Sequence, residues 1–406
     1  MPTRQSIRTN ISTLRQIVEL IPGHLVKKLS KKYGVDKKSR SFTPWSHVVS
    51  MLYSQLSHAF SLNDVCDALK NHNKSLSTIR GALPPSRNGL SYANKVRNGD
   101  MAEDLFWSVL NNLKFQYPGF GGRNYKGMPR RFKRTVNIVD STTISLIANC
   151  MSWAKHRRRK AAAKCHMRLD LQSFLPKFAL VKPAKHSDPA VAYEVCADIK
   201  AGEIVVFDKA YIDFVHLYRL ELREVFWVSR AKDNMQYKTV QKNKVNGKVL
   251  RDEFIELTIS KTYTQYPKKL RLVEAVVEVD GKEKQMVFIT NNFKWAASSI
   301  CSLYKSRWAV EVFFKQIKQN LQLCDFLGYS ENAIKWQVWT ALLVYVLLRF
   351  LAFTNKWTHS FSRLITMLRA VLWNNFSLVE LIQTYGTAGA LKRTRAAPEQ
   401  AYLPGF

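Results

Sequence analysis

Apolar positions along the first 115 residues recur every three or four residues. LRQIVELI, HLVKKLSKKY, WSHVVSMLYSQL, LNDVCDALK and AEDLFWSVLNNL all keep that spacing, the mark of helices that bury one face. SFTPW and FSLND put Thr and Ser where N-caps belong. Polar breaks such as RGALPPSRNG, residues 80–89, separate the runs. Near residue 134 the texture changes. RTVNIVDSTTISLI (134–147), the two halves of MRLDLQSFLPKFALVKP (167–183), AGEIVVFDKAY (201–211) and REVFWVSRAK (223–232) read as strands. DPAVAYEVCADI (188–199) reads as a helix between two of them. Strands alternating with helices predict a mixed α/β sheet. KVLRDEFIELTISKTYTQ and KLRLVEAVVEVDGKEKQMVFIT, with an Asp280-Gly281 turn signal, predict a small antiparallel β-rich block. WQVWTALLVYVLL, 336–348, is thirteen residues, too short to span a bilayer, and reads as a buried helix.

Composition adds a partner. The chain has 63 Lys and Arg against 30 Asp and Glu, a net charge of +33, while 46% hydrophobic residues provide a real core. The excess is spread along the chain with no low-complexity basic run. A folded protein with such an excess meets a polyanion: nucleic acid first, an anionic membrane surface second. The six cysteines show no CxxC and no zinc spacing, and read as core thiols of a reducing compartment. MPTRQSIRTN has no apolar stretch of the kind a signal peptide needs.

Three acids are candidates for chemistry. Asp140 ends the run VNIV and Asp208 ends EIVVF, and open α/β sheets build sites at the carboxyl ends of strands. Glu311 lies in LYKSRWAVEVFFKQIK, 303–318. On one helix counted from Tyr304, Arg307 falls at about 300°, Glu311 at about 340°, Lys315 at about 20° and Lys318 at about 320°. One carboxylate then sits in a cationic stripe beside an apolar face. Two strand-end aspartates and a helix glutamate can hold hard divalent cations, which prefer oxygen ligands and activate water or a 3′-OH against a phosphodiester. Each residue also has an ordinary role: a turn or cap for each Asp, a surface ion pair for Glu311, a solvated face for the lysines. HRRRKAAAK, with Arg157, Arg158 and Arg159, reads most simply as a solvated loop and, given the total charge, as a DNA contact.

Tyr304, Arg307, Glu311 and Lys318, in the order Y-x2-R-x3-E-x6-K, resemble the Tyr-Arg-Glu-Lys signature of the bacterial insertion-sequence-four family of DDE transposases. VDSTTISL, KCHMRLDLQSFLPKFALVKPAKHSDPA, VVFDKAYIDF and MVFITNNF resemble that family's other motifs, and the first 115 residues resemble the helical domain that precedes them. The resemblance implies a ribonuclease-H-like mixed-sheet core interrupted by a β-rich insertion. The expected order is a helical domain at 1–115 that binds DNA ends and a basic linker at 116–134. The core follows at 135–232, the insertion at 233–295, the second core part with the Glu helix at 296–375 and a tail at 376–406. It further implies Mg²⁺-dependent cleavage at an element's terminal repeats, a hairpin end and strand transfer into target DNA. Asp140, Asp208 and Glu311 would bind two Mg²⁺ ions, with Mn²⁺ able to substitute. Tyr304, Arg307, Lys315, Lys318 and Lys209 would grip phosphates. The implied partner is double-stranded DNA, bound by a homodimer in the bacterial cytoplasm at the nucleoid, with no membrane. A junction resolvase of the same fold and a non-catalytic DNA-binding descendant are the alternatives. Two departures stand out. Residues 208–211 read Asp-Lys-Ala-Tyr where the family has Asp-Arg-Gly-Tyr, and Met286 occupies the insertion strand where some members carry a base-stacking Trp.

Overall fold

A computed structural model describes residues 8–37, 39, 41–122, 132–146, 155–157, 160–183, 188–279, 282–321 and 327–384. The chain forms two compact units. One comprises Met1–Phe120, Ile144–Ala161 and Phe314–Glu399; the other comprises Gly121–Thr143, Ala162–Phe313 and Gln400–Phe406.

The first unit is largely helical: α1 (Thr13–Val18), α2 (Gly23–Lys32), α3 (Pro44–Ser57), α4 (Leu62–Asn71), α5 (Asn73–Ser77), α6 (Arg87–Val96) and α7 (Asp100–Gln116). The predicted caps are present. Thr43 accepts the Ser46 N–H, with Pro44 at the first helical position, and Ser61 and Asp64 form a reciprocal capping box. Helix α6 lies partly inside the stretch expected to be a polar break. Ser86 caps it, and Leu90, Ala93 and Asn94 supply a buried face too sparse for periodicity to register. The apolar 336–348 stretch lies within a 24-residue helix, Glu331–Thr354, which by length and composition could cross a membrane. Most of it is buried in this unit, against α3, α6 and α7 and the later helix Phe361–Ala370. Residues expected as a polar tail begin with a short helix, Leu378–Thr384, and Leu378 donates its N–H to Gln16.

The strands are β1 (Val136–Leu146), β2 (Lys155–Arg157), β3 (Lys160–Asp170), β4 (Leu175–Pro183), β5 (Ile204–Phe207), β6 (Phe226–Arg230), β7 (Tyr237–Lys242), β8 (Val249–Leu257), β9 (Leu270–Val279) and β10 (Lys282–Thr290). They make one sheet in the order β2-β3-β1-β5-β6-β10-β9-β8-β7, with β4 paired to β3. Strands β3 and β4 are antiparallel, whereas β1, β5 and β6 run parallel. This is the mixed sheet of a ribonuclease-H-like core. Each parallel crossover carries a helix, α8 (Asp188–Val195) before β5 and α9 (Phe214–Leu222) before β6. They cover a face built from Val139, Val205, Phe207 and Trp227 with Val191, Val195, Leu217 and Leu220.

Two expectations need correction here. The stretch HRRRKAAAK is not simply a loop: Arg157 ends β2 and residues 160–164 begin β3, while Arg158 and Arg159 lie outside the described residues. The segment SKTYTQ, expected to be β, is the helix α10 (Ser260–Gln265), which has no buried residue of its own. The next residue, Tyr266, is fully buried and hydrogen-bonds Glu221, so tertiary packing overrides the β preference of Thr and Tyr. The β-rich block is also continuous with the core, because β10 pairs with β6 through Phe288↔Arg230. The Asp280-Gly281 turn lies outside the described residues, between the paired Val279 and Lys282.

Candidate active site

Strands β1 and β5 run parallel in a register that pairs Val139 with Phe207. The next residue on each is an aspartate, so Asp140 and Asp208 stand side by side. Asp140 continues within β1, and Asp208 leaves β5 into a short 3₁₀ turn, Lys209–Tyr211.

The third acid comes from a broken helix. The stretch 303–318 was expected to be one helix, but it divides into α11 (Ala297–Lys305) and α12 (Trp308–Asn320). At the break the Ser306 hydroxyl donates to the Leu303 carbonyl at 2.5 Å. The N–H groups of Arg307, Ala309 and Val310 reach back three residues instead of four. The single stripe is therefore two segments with Arg307 in the turn. Its guanidinium faces inward, 10% exposed, and binds two of the acids at once. Nη1 lies 2.6 Å from Asp140 Oδ2 and Nη2 lies 2.5 Å from Glu311 Oε1. Tyr304, buried at the end of α11, donates its hydroxyl to Asp208 Oδ1 at 3.1 Å. Tyr304, Arg307, Asp140, Asp208 and Glu311 thus form one hydrogen-bonded group.

Burial pushes the Asp140 carboxyl up to about 6, against the opposing pull of Arg307 and of the Ser141 N–H, which donates to Oδ1 at 2.8 Å. The nearby charges of Glu311 and Asp208 raise it further. Burial disfavours the Arg307 charge, but Asp140 and Glu311 more than offset this and hold it above its usual range. Burial raises the Tyr304 hydroxyl to about 12, with Arg307 opposing, so it stays a donor. The group holds three carboxylates and one guanidinium, which leaves it two positive charges short of neutrality when all are ionised. Among the described residues, no three His, Cys, Asp or Glu stand close enough to form a ready cation site; Arg307 stands between Asp140 and Glu311 instead. The donor set still fits a hard divalent cation, because it is all oxygen and its unbalanced charge matches one.

Lys209 is held by Asp233 at 2.8 Å on the surface. Lys315 is exposed and Lys318 half-buried, further along α12 in the part that belongs to the helical unit. Sequence reasoning matched the stretch carrying Lys164, His166 and Asp188 to a family motif but gave these residues no place in the site; they form a second polar cluster beside Asp140. Ser141 donates to Asp188 Oδ1 at 3.0 Å, Lys164 pairs with Asp188 at 2.7 Å, and His166 contacts the Tyr211 hydroxyl at 3.1 Å. The signal was available: Lys164 and His166, two apart on a strand, share a face.

A family model described as a transposase DDE domain matches residues 131–347, just over half of the chain. The chain belongs to the DDE transposase family. A second model, a domain of unknown function (DUF4372), matches residues 9–79 of this transposase. "Putative transposase y4zB" of Sinorhizobium fredii is 28% identical over 323 residues, which is 78% of the chain and 86% of that protein. "Probable transposase for insertion sequence element IS5377" of Geobacillus stearothermophilus is 29% identical over 54% of the chain and 58% of its own length. A piggyBac transposase synaptic complex with hairpin DNA aligns over 90% of the chain and 80% of its own with a TM-score of 0.49 and 10% identity, too remote to bear on mechanism. DDE transposases as a family act on DNA and depend on divalent metal.

Proposed function

We propose that this transposase cuts DNA at the terminal inverted repeats of a bacterial insertion sequence and joins the freed end to target DNA. Asp140, Asp208 and Glu311 hold two Mg²⁺ ions, and a hairpin end is the intermediate. The observation that carries this reading is the parallel register of β1 and β5, which sets two aspartates side by side, together with Arg307 tying Asp140 to Glu311. When bound, such an ion pair activates a water or 3′-OH and neutralises charge on the phosphodiester. The protein's own groups orient the carboxylates. The Ser141 N–H fixes Asp140, and the Tyr304 hydroxyl fixes Asp208. Arg307 keeps the acids from repelling one another, and its planar fork suits phosphate oxygens as well as carboxylates. Lys209, Lys315, Lys318 and the Arg157–Arg159 run contribute salt-dependent backbone contacts, and the N-terminal helices select the element's ends. The protein works in the cytoplasm, at the nucleoid, as a dimer on DNA, and Mn²⁺ substitutes for Mg²⁺.

A labelled terminal-repeat duplex incubated with the purified protein tests this. Cleavage should require Mg²⁺ or Mn²⁺ and vanish in Asp140→Asn, Asp208→Asn and Glu311→Gln. Undiminished cleavage in any of the three removes that residue from the reading.

A further inference from the structure

Asp140 and Ser141 are successive residues of β1, so their side chains leave opposite faces of the sheet. Asp140 meets Arg307 on one face. Ser141 points with Val139 to the other, where α8 packs and where a polar cluster gathers that the proposed chemistry does not use. The Ser141 hydroxyl donates to Asp188 Oδ1 at 3.0 Å. Lys164 Nζ lies 2.7 Å from each oxygen of that carboxylate. His166, with no exposed surface, brings Nδ1 to 3.5 Å from Asp188 Oδ1 and 3.1 Å from the Tyr211 hydroxyl. Tyr211 is buried, and its N–H donates to the Asp208 carbonyl at 3.0 Å, closing the turn that carries the second aspartate off β5. One cluster thus reaches the backbone of both aspartates, through Ser141 on β1 and through Tyr211 after β5.

Stability is a poor reason for such a cluster. Lys164 and Asp188 are 18% and 15% exposed, and a pair so far from water recovers little more than its cost of desolvation. Apolar side chains would hold β3 against α8 as well. What an apolar contact lacks is direction, whereas hydrogen bonds fix the rotation of the groups that make them. A two-cation site needs that precision, because its carboxylate oxygens must be placed to within about 0.5 Å. We propose that Asp188, braced by Lys164 and His166, is a positioning residue for the cation site. It holds Ser141 directly and the Asp208 turn through His166 and Tyr211, and so sets the separation of Asp140 and Asp208. The inference rests on the metal-dependent function proposed above. Because Ser141 and Asp140 point to opposite faces, Asp188 acts without meeting the cations itself.

Mn²⁺ binding to the full-length protein, read as loss of the free-ion signal in electron paramagnetic resonance, tests this. Wild type should show a site that Asp140→Asn removes. Asp188→Ala should weaken that site about 10–100-fold, the usual loss when a group supporting a metal-binding carboxylate is removed. Asp188→Asn keeps an acceptor for Ser141 and should lose less. The half-maximal Mn²⁺ for cleavage of the terminal-repeat duplex should rise with the loss of affinity. Saturating Mn²⁺ should restore the rate, and binding of the duplex in EDTA should not change. Glu194→Ala breaks a different pair between α8 and the sheet, to Lys182 on β4 at 2.6 Å, and should leave Mn²⁺ affinity unaltered. Ser141→Ala removes the hydroxyl link and keeps the N–H on Asp140, so it should weaken Mn²⁺ as well, and it decides the matter if Asp188→Ala does not fold. Ser141→Ala/Asp188→Ala should bind no worse than Asp188→Ala, because both changes break one link. Additive losses overturn the proposed path, and an equal loss in Glu194→Ala reduces the effect to general packing and overturns it too. An Asp140-dependent site that keeps its affinity in Asp188→Ala and Ser141→Ala overturns the positioning role alone. A wild type with no site dependent on Asp140 overturns the metal-dependent function itself, and the positioning role falls with it.

Discussion

Replacing Arg307 by Ala tests whether the acids are held together by that one guanidinium. Two ion pairs would be lost, but they are unequal. Glu311 is 45% exposed, so its pair is screened by water and contributes well under about 1 kcal/mol. Asp140 is 16% exposed against an Arg307 that is 10% exposed, and removing one partner of a buried pair strands the other's charge at roughly 3–5 kcal/mol. Protonation of Asp140, already pushed up to about 6, caps its share near pH 7 at about 1.4 kcal/mol, so about 1.5–2 kcal/mol in all is expected for Arg307→Ala in EDTA. Asp140→Asn/Arg307→Ala should recover a large part of this, because the buried charge has gone; a coupling above about 1 kcal/mol is expected. Added Mg²⁺ should stabilise Arg307→Ala by about 2–3 kcal/mol at a hundred times its dissociation constant. Urea unfolding followed by circular dichroism measures wild type, Asp140→Asn, Arg307→Ala and the double variant with and without Mg²⁺. If Arg307→Ala unfolds within about 0.5 kcal/mol of wild type in EDTA, the buried-pair account is wrong. If Mg²⁺ fails to stabilise it while Asp140 is intact, the acids are not a cation site.

Glu311→Gln should abolish cleavage while binding the terminal repeat as tightly as wild type or more tightly, since one negative charge beside phosphate is removed; a gel-shift titration beside the cleavage assay reads both. His47 is fully buried, and burial first, then the Arg97 charge, lowers it from 6.5 to about 3 against the hydrogen bond that its Nε2 makes to Asn94 Oδ1. Its folded pKa lies below the unfolded value, so its contribution is complete above pH 6.5 and is lost as pH falls towards 3, by up to about 1.4 kcal/mol per unit. His47→Gln should flatten the unfolding free energy between pH 6.5 and 5, and an unchanged slope would refute this. Ser61→Ala removes one half of the capping box at α4 and should cost about 1 kcal/mol by urea unfolding, with Ser61→Asp retaining most of it.

The parts of the fold legible in the sequence were those with strong local periodicity or chemical punctuation. The caps at Thr43 and Ser61 could be read because a hydroxyl before an apolar run has one evident use. Strands β1, β5 and β6 could be read because a doubly covered parallel strand is a continuous β-branched run. Helix α6 could not, because three buried positions in ten give a helix no visible stripe. Helix α10 could not, because its conformation is set by Tyr266 beyond its end. The union of the insertion with the core through Phe288 and Arg230 is a long-range pairing, and no local pattern encodes it.

The site shows the same division from inside. Asp140 and Asp208 were recognisable because each follows a buried strand, and parallel pairing of those strands is enough to set them side by side. The role of Arg307 was not recognisable, since it depends on a fault in the helix. On an unbroken helix, Arg307 and Glu311 would lie one turn apart on a single stripe, an ordinary surface ion pair. The turn at Ser306 and Arg307 interrupts the helix, and the guanidinium is buried between an acid from β1 and an acid from α12. Serine is the residue suited to that fault, because its hydroxyl bonds the preceding turn's carbonyl and competes with the helical ladder. Ser306→Ala would favour an unbroken helix and withdraw Arg307 from Asp140. Cleavage should fall in this variant although no acid is altered, and full activity would show that the break does not position Arg307.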